Sequence, residues 1–290
     1  MGKPTFLCIG GQRCGTTRLH RVLDAHPFVS MTQTGVDTMN KEIHYFDQYV
    51  LGQPLHWYES HFCSSGITGE ITPAYSILPD QAVQAISDYL PDSKIIFIVR
   101  NPLDRIWSQI RMMRSAWGLA DMRSVQLDQL LALLDSPAVV LRSDYLKTFQ
   151  SWQRWFGSDR LLVLTFEQAL SNVGLRRIFN HIGDQSGWLP SQQHSRKVFS
   201  SPQADIPQEL RWLVSMRWLD MLHNLLQFDL PVRSWVDLIE ADLSSMPSSF
   251  PGRVEKIRIE QSDSLAAKWT AAINHQECLS KIILERVSSE

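Results

Sequence analysis

The sequence lacks the features typical of a membrane-spanning protein, a nucleic-acid-binding protein or a zinc-binding protein. No apolar run approaches the roughly 20 residues that a membrane span needs. The formal net charge is only -2 over 290 residues, so a broad basic surface for nucleic acid is not expected. The four cysteines follow neither a zinc-binding nor a CxxC spacing. What remains is the composition of an ordinary globular protein, 44% hydrophobic and 20% charged.

The cysteines and the start of the chain indicate a compartment. Cys8 lies in an apolar run, where a reduced and buried thiol is expected. Cys14 follows in a glycine-bearing loop, which argues against an oxidising environment. No signal-peptide pattern precedes the first element of the fold. We therefore expect a cytoplasmic protein without disulfides.

Short apolar runs alternate with helical patterns over most of the chain. Strands are predicted at 6–9, 69–75, 94–100 and 161–166, and 42–47 reads as either a short strand or a loop. Helices are predicted between 16 and 27, over 79–90, from 101 onwards, over 142–156, from 166 to 183 and over 210–228, with a loop at 186–206. The central residues of 94–100 are apolar without alternation, which is typical of a parallel strand covered on both faces. This order predicts an α/β fold with a P-loop-like parallel sheet and helices on both faces.

The last sixty residues are less regular. Residues 264–287 read as a helix, and the apolar residues between 254 and 259 suit a strand or a helix edge. We predict an α/β domain over residues 1–235 and a C-terminal extension over 236–290. The extension would pack on the core or on a second subunit, so a homodimer is one possibility.

The most informative segment is GGQRCGTTRL, residues 10–19, which lies between an apolar run and a helical pattern. The spacing from Gly10 to Gly15 and Thr17 is that of a P-loop, which binds phosphate with backbone N–H groups at a helix N-terminus. Thr16 stands where nucleotide hydrolases carry the lysine that reaches the β/γ-phosphates, and the basic residue is Arg13 instead. The loop therefore indicates a nucleotide phosphate site without the usual chemistry at a γ-phosphate.

Further segments make the pattern specific, because the chain resembles the sulfotransferase superfamily over roughly residues 5–230. Members of that superfamily transfer a sulfuryl group from 3′-phosphoadenosine 5′-phosphosulfate (PAPS). The similar segments are the 5′-phosphosulfate loop at 10–19, KEIHYFD at 41–47, EITPAY at 70–75, the 3′-phosphate motif VRNPLDRIWSQI at 99–110 and a later stretch from Tyr145 to Phe179. KEIHYFD and EITPAY are similar to the heparan-type branch.

The resemblance implies a set of nucleotide-binding residues and no metal ion. Around the 5′-phosphosulfate it places Arg13, Cys14, Gly15, Thr16 and Thr17. Arg100 and Ser108 would hold the 3′-phosphate and so select PAPS over ATP. Arg196 and Lys197 loosely match a late loop that closes on the nucleotide, and a solvated loop is an equal alternative for them. The product would be adenosine 3′,5′-bisphosphate.

The resemblance also implies a base for the acceptor. Glu42 matches the glutamate that plays this role in the heparan-type branch, and its alternative is a solvated ion pair with Lys41. His44, on the same side if the segment is extended, is the second candidate for the base and a candidate for substrate binding. Glu70 is the third, expected to support the site or contact the substrate. Ile71 departs from the family pattern, since it replaces a lysine.

Two other classes of protein remain possible from the sequence. A P-loop kinase or NTPase would need a carboxylate after a strand to hold Mg²⁺, whereas 94–100 ends in an arginine. A non-catalytic nucleotide-binding protein would keep the loop and lose the chemistry. For an enzyme, charge and compartment favour a small-molecule acceptor, whereas KEIHYFD and EITPAY favour a glycan.

Overall fold

A computed structural model describes residues 2–32, 41–113, 125–190 and 206–289. These residues form two compact units, each built from separate pieces of the chain. The first unit draws on Met1–Arg100, Lys147–Ser200 and His275–Glu290, and the second on Asn101–Leu146 and Ser201–Asn274.

The first unit contains a five-stranded sheet in which every pairing is parallel. The strands are β1 (Phe6–Cys8), β2 (Val29–Met31), β3 (Ile67–Ile71), β4 (Lys94–Val99) and β5 (Leu161–Thr165). Their order is β2-β3-β1-β4-β5, with Phe6 opposite both Gly69 and Lys94. The first strand therefore lies at the centre, and the loop that follows it emerges at the carboxyl edge of the sheet, where ligands bind in open α/β folds.

Helices account for most of the other regular structure that the described residues form. They are α1 (Thr16–Asp24), α2 (Leu55–Glu59), α3 (Asp80–Tyr89), α4 (Pro102–Met113), α5 (Leu127–Leu134), α6 (Pro137–Ser143), α7 (Tyr145–Phe156), α8 (Phe166–Ala169), α9 (Asn172–His181), α10 (Gln208–Leu226), α11 (Arg233–Ser244) and α12 (Phe250–Ser288). Short 3₁₀ turns occupy Tyr49–Leu51 and Pro73–Ile77.

The core of the first unit explains the unbroken apolar strands. Phe6, Cys8, Ile96 and Ile98 pack in one cluster with apolar side chains of α1 and α9. The alternate residues of the same strands, which point to the opposite face, are buried as well. Burial of each large aliphatic side chain contributes about 1.5–3 kcal/mol, so covering both faces requires the continuous apolar run rather than an alternating one.

The second unit is helical and has a core of its own. Side chains of α4, α5, α6, α10 and the start of α12 form one apolar cluster. Arg105 lies fully buried beside it and donates hydrogen bonds to Gln109 Oε1 at 2.8 Å and to the hydroxyl of Ser143. Within this unit Trp269 of α12 donates from Nε1 to the carbonyl oxygen of Asp135, at the end of α5, at 3.1 Å.

The predicted strands and long helices are present, and the differences have local causes. Residues 45–48 form a turn rather than a strand, because His44 adopts a left-handed backbone conformation with φ 55°. The predicted helix over 142–156 is interrupted at Asp144, which separates α6 from α7. Residues 254–259 are helical, and β2, α5 and α11 are additional elements. Most of the predicted loop at 186–206 lies outside the described residues.

The predicted domain boundary, between residues 235 and 236, lies inside α11. The helices α10 and α11 belong to the same unit. His223 of α10 and Glu240 of α11 approach to 3.0 Å there. The two compact units thus have bounds of their own, and the division into domains 1–235 and 236–290 stays a prediction.

Candidate functional site

The loop after β1 is held against β4 and turns sharply before α1. The N–H of Gly11 donates to the carbonyl oxygen of Ile98 at 2.9 Å. Arg13 and Gly15 both have positive φ angles, 70° and 84°. Glycine is required at 15, since a Cβ atom there would lie 2.8 Å from the ring of Phe166. The turn delivers the chain into α1 at Thr16.

The start of α1 has the properties of an anion site. The first N–H groups of a helix have no acceptor within the helix, and the helix dipole makes this end positive. Thr16 and Thr17, the first two residues of α1, supply these groups. The thiol of Cys14 is buried and its N–H donates to the carbonyl oxygen of Gly11 at 3.1 Å, so its contact with the nucleotide stays a prediction.

Arg100 joins this loop from a distant part of the chain. It directly follows β4, and its Nη1 donates to the carbonyl oxygen of Arg13 at 3.2 Å. Its guanidinium lies 4.6 Å from the centre of the Phe166 ring, which also packs against Gly15. Two of the sequence-predicted phosphate ligands, Arg13 and Arg100, are therefore neighbours. Ser108 is a buried residue of α4, in the second unit.

The segment that follows Lys41 carries a chain of charged side chains. The ammonium group of Lys41 contacts Glu42 Oε1. The imidazole of His44 lies between two carboxylates, with Nε2 3.0 Å from Glu42 Oε2 and Nδ1 2.9 Å from Asp47 Oδ2. Lys41 is only 5% exposed, so its pair with Glu42 is not the solvated surface pair that the sequence left open.

These contacts fix the protonation of the two candidate bases. Burial lowers the pKa of His44, but hydrogen bonds and charge from Asp47 and Glu42 outweigh it and raise the pKa to about 10. Burial raises the pKa of Glu42, but His44 and Lys41 outweigh it and hold the pKa below its ordinary value. At neutral pH His44 is therefore protonated and Glu42 is ionised, and of the two only Glu42 can accept a proton.

The charged segment at 41–47 acts electrostatically on Cys8, which lies just before the loop at 10–17. Burial raises the pKa of the Cys8 thiol to about 12, and the charges of Lys41 and Glu42 also act on that thiol. Cys8 ends β1 and immediately precedes the loop. The N–H of Tyr45 donates to the hydroxyl of Tyr75 at 2.9 Å, and the N–H of Thr72, directly after β3, donates to the carbonyl oxygen of Cys8 at 3.1 Å. The segment at 41–47 and the loop after β1 therefore lie at the same carboxyl edge of the sheet.

Glu70 occupies a different position from the other two candidates. Its side chain is fully buried and accepts hydrogen bonds from Tyr58 and Thr72 at 2.6 Å each, and from Tyr75 at 3.2 Å. Burial raises its pKa to about 7, against the opposing effect of these three hydroxyl donors. The geometry suits the supporting role among the roles that the sequence allowed.

Sequence reasoning missed two contributors to this arrangement. Asp47 was available as the last residue of KEIHYFD, three positions after His44, and it is the second carboxylate on that imidazole. Tyr58 packs in the core as the helical spacing indicated, and its hydroxyl also donates to Glu70. A buried tyrosine usually finds a hydrogen-bond partner, which is the signal that could have identified it.

Other predicted features can be placed only in part. Arg196 and Lys197 lie outside the described residues. In the described ranges, no three His, Cys, Asp or Glu side chains are grouped so that they could hold a metal ion. The helices of those same ranges include none with the length and apolar character to cross a bilayer.

Comparisons with known proteins agree with the architecture. A model of the sulfotransferase family matches residues 79–187. A solved sulfotransferase from Alicyclobacillus acidocaldarius superposes with a TM-score of 0.54 and 18% identity, covering 87% of this chain and all of the other. At that identity the superposition establishes the fold alone.

Curated relatives share part of their length with this chain. It is 30% identical over 175 residues to human heparan sulfate glucosamine 3-O-sulfotransferase 6, covering 58% of this chain and 48% of that protein. It is 26% identical over 186 residues to human bifunctional heparan sulfate N-deacetylase/N-sulfotransferase 2, covering 58% of this chain and 20% of the relative. The chain thus spans about half the length, or less, of these relatives.

Proposed function

We propose that this chain, which belongs to the sulfotransferase superfamily, transfers a sulfuryl group from PAPS to a hydroxyl or amine of a small-molecule or glycan acceptor. One observation carries the proposal. The phosphate-binding loop after β1 and the Lys41–Glu42–His44–Asp47 chain of charges lie at the same edge of the sheet. An anion site beside an ionised carboxylate is the combination that sulfuryl transfer to a protic acceptor requires.

The nucleotide would be held by groups of the loop and of β4. The N–H groups of Thr16 and Thr17 and the guanidinium of Arg13 would bind the 5′-phosphate end. Arg100 already contacts the backbone of Arg13, which supports a place for it beside the nucleotide. Arg100 would bind the 3′-phosphate. Gly15 lets the ring of Phe166, which also lies against the guanidinium of Arg100, pack closely on the loop.

The acceptor would lose its proton to Glu42. The acceptor oxygen or nitrogen bonds to sulfur as the bond from sulfur to the 5′-phosphate oxygen breaks, and that oxygen keeps the electron pair. Arg13 stabilises the negative charge that develops there. Lys41 and His44 hold Glu42 ionised before transfer. The hydroxyl of Tyr75 donates to Glu70 and accepts a hydrogen bond from the N–H of Tyr45. Through this hydroxyl, Glu70 would support the segment at 41–47.

The acceptor class and compartment are further parts of the proposal. The KEIHYFD and EITPAY segments support a glycan or a hydroxylated molecule of similar polarity, while the modest net charge supports a small acceptor. All four cysteines are free, two of them buried, which supports a reducing compartment such as the cytoplasm.

Calorimetric titration with adenosine 3′,5′-bisphosphate in the absence of metal tests the nucleotide site. We expect micromolar affinity for the bisphosphate, and weak or no binding of ATP with Mg²⁺ in a parallel titration. Preference for ATP with Mg²⁺ would indicate that the protein is a P-loop kinase or NTPase instead. Binding of the bisphosphate without turnover of PAPS with any acceptor would favour a non-catalytic nucleotide-binding protein.

A further inference from the structure

The second unit contains a groove that the proposed reaction does not use. It has a volume of about 720 Å³ and lies among the end of α5, the middle of α10 and the middle of α12. Its polar side is formed by Asp135, Arg217 and Arg258, and we call it the arginine groove. All of its lining residues belong to the second unit.

The charges of the arginine groove are arranged around one buried carboxylate. Arg258 donates from Nε to Asp135 Oδ2 at 2.9 Å and from Nη2 to Oδ1 at 3.2 Å. Arg217 contacts the same Oδ1 through Nη1. Two guanidiniums and one carboxylate leave one positive charge, and the other lining residues are uncharged. A groove of this kind favours a monoanion.

The two arginines are also able to bind such an anion. A guanidinium has five N–H donors, and the bonds to Asp135 engage two donors of Arg258 and one of Arg217. Both side chains remain partly exposed, Arg217 by 27% and Arg258 by 38%. Asp135 fixes their position, so an entering anion meets donors that are already oriented.

Apart from Ser262, the remaining wall of the groove is apolar. Met216, Leu265, Ala266 and Trp269 line it. The indole N–H of Trp269 donates to the carbonyl oxygen of Asp135 at 3.1 Å, which anchors the ring beside the charged side. A rigid aromatic wall next to a few convergent polar groups is typical of small-molecule sites.

We propose that the arginine groove binds a small organic monoanion, in which a sulfate, sulfonate or carboxylate group is attached to an apolar or aromatic body. The anionic group lies against Arg217 and Arg258, and the apolar body lies against Trp269 and Leu265. The inference depends on the second unit alone and does not require the proposed sulfuryl transfer.

Fluorescence titration with anilinonaphthalene sulfonate, an aromatic sulfonate, tests the groove. Phenylnaphthylamine is the matched neutral probe, because it has a similar aromatic body without the sulfonate. We expect the sulfonate to bind with one saturable site that Arg258→Met weakens about tenfold or more, as expected for loss of charge-assisted hydrogen bonds. Arg253→Met serves as the control, since Arg253 is an exposed residue of the same helix outside the groove.

A second variant keeps the test decisive if Arg258→Met fails to fold. Ala266 is exposed and lines the groove, so Ala266→Phe fills the space and leaves the arginines and Asp135 intact. We expect it to weaken sulfonate binding by a similar factor without lowering the melting temperature. Unchanged binding in Ala266→Phe, or equal affinity for the neutral probe, would overturn the proposal.

Discussion

The hydroxyl of Tyr75 accepts a hydrogen bond from the backbone N–H of Tyr45 at 2.9 Å. The same hydroxyl donates to Glu70 at 3.2 Å, and all three residues are fully buried. Tyr45 directly follows His44, so one phenol connects the buried carboxylate of β3 with the charged segment. The separate motifs KEIHYFD and EITPAY are thus physically one assembly, which makes the position of Glu42 sensitive to a residue outside its own segment.

Replacement of Tyr75 by phenylalanine should uncouple these two segments. The buried N–H of Tyr45 loses its acceptor and Glu70 loses a donor, so we expect the free energy of unfolding in urea to fall by about 1–3 kcal/mol. The NMR signal of His44 should shift as well. In the control Tyr89→Phe, which removes a hydroxyl bonded to Glu59, stability should fall while the His44 signal stays unchanged. An unchanged His44 signal in Tyr75→Phe would contradict the coupling.

Glu70 should make the protein less stable as the pH rises. Burial raises its pKa to about 7 in the folded state, above its ordinary value of 4.5, so the folded state holds the proton more tightly. This contribution is complete below pH 4.5 and is lost as the pH rises through 7. Between pH 5 and pH 8 the loss should be about 2 kcal/mol.

The variant Glu70→Gln isolates this contribution, since it keeps the shape of the side chain and cannot titrate. From pH 5 to pH 8, the unfolding free energy of the wild type should fall relative to that of Glu70→Gln. A difference that is independent of pH would contradict the raised pKa of Glu70.

His44 should stay protonated through the neutral range. Its pKa is raised to about 10 by the carboxylates on either side, so its imidazole signals in NMR should show no titration between pH 6 and pH 8. The variant Glu42→Gln removes one of these charges and should lower the pKa of His44. A wild-type titration near pH 6.5 would contradict the ion pairs and restore His44 as a candidate base.

The same change tests Glu42 as the base. Glu42→Gln should lower the turnover number for sulfuryl transfer by about 10²–10⁴-fold, while calorimetry shows the affinity for adenosine 3′,5′-bisphosphate unchanged. Glu59→Gln, a partly buried glutamate bonded to Tyr89, is the matched control and should keep full turnover. Normal turnover in Glu42→Gln would move the base to another residue.

Arg100 should determine selection of the 3′-phosphate. We expect Arg100→Met to weaken binding of adenosine 3′,5′-bisphosphate about tenfold or more, as for loss of a charge-assisted hydrogen bond. Affinity for adenosine 5′-phosphate should change much less. Arg154→Met is the control, because that arginine is exposed and pairs with Asp80. An equal loss of affinity for both nucleotides would contradict the assignment of Arg100 to the 3′-phosphate.

The local patterns of the sequence were enough to predict the parallel sheet and the turn that leads from β1 into α1. A short apolar run bounded by polar residues, such as Ile95–Ile98, favours a strand covered on both faces, and the spacing of Gly10 and Gly15 favours a turn into a helix. The break at Asp144 was not predicted, and 42–47 was left open between a strand and a loop, because each depends on backbone angles that neighbouring residues alone do not fix.

The residue types available for chemistry can be read from the sequence alone: an arginine in a glycine-bearing loop, an arginine after a strand, and a lysine–glutamate pair followed by histidine and aspartate. The tertiary structure was needed to show which of these side chains is ionised and which is protonated. The charge state of Glu42 and His44 depends on burial and on distances near 3 Å, and electrostatic energy changes steeply at that range. Sequence spacing specifies neither quantity, whereas the packing of KEIHYFD against Tyr75 and β3 specifies both.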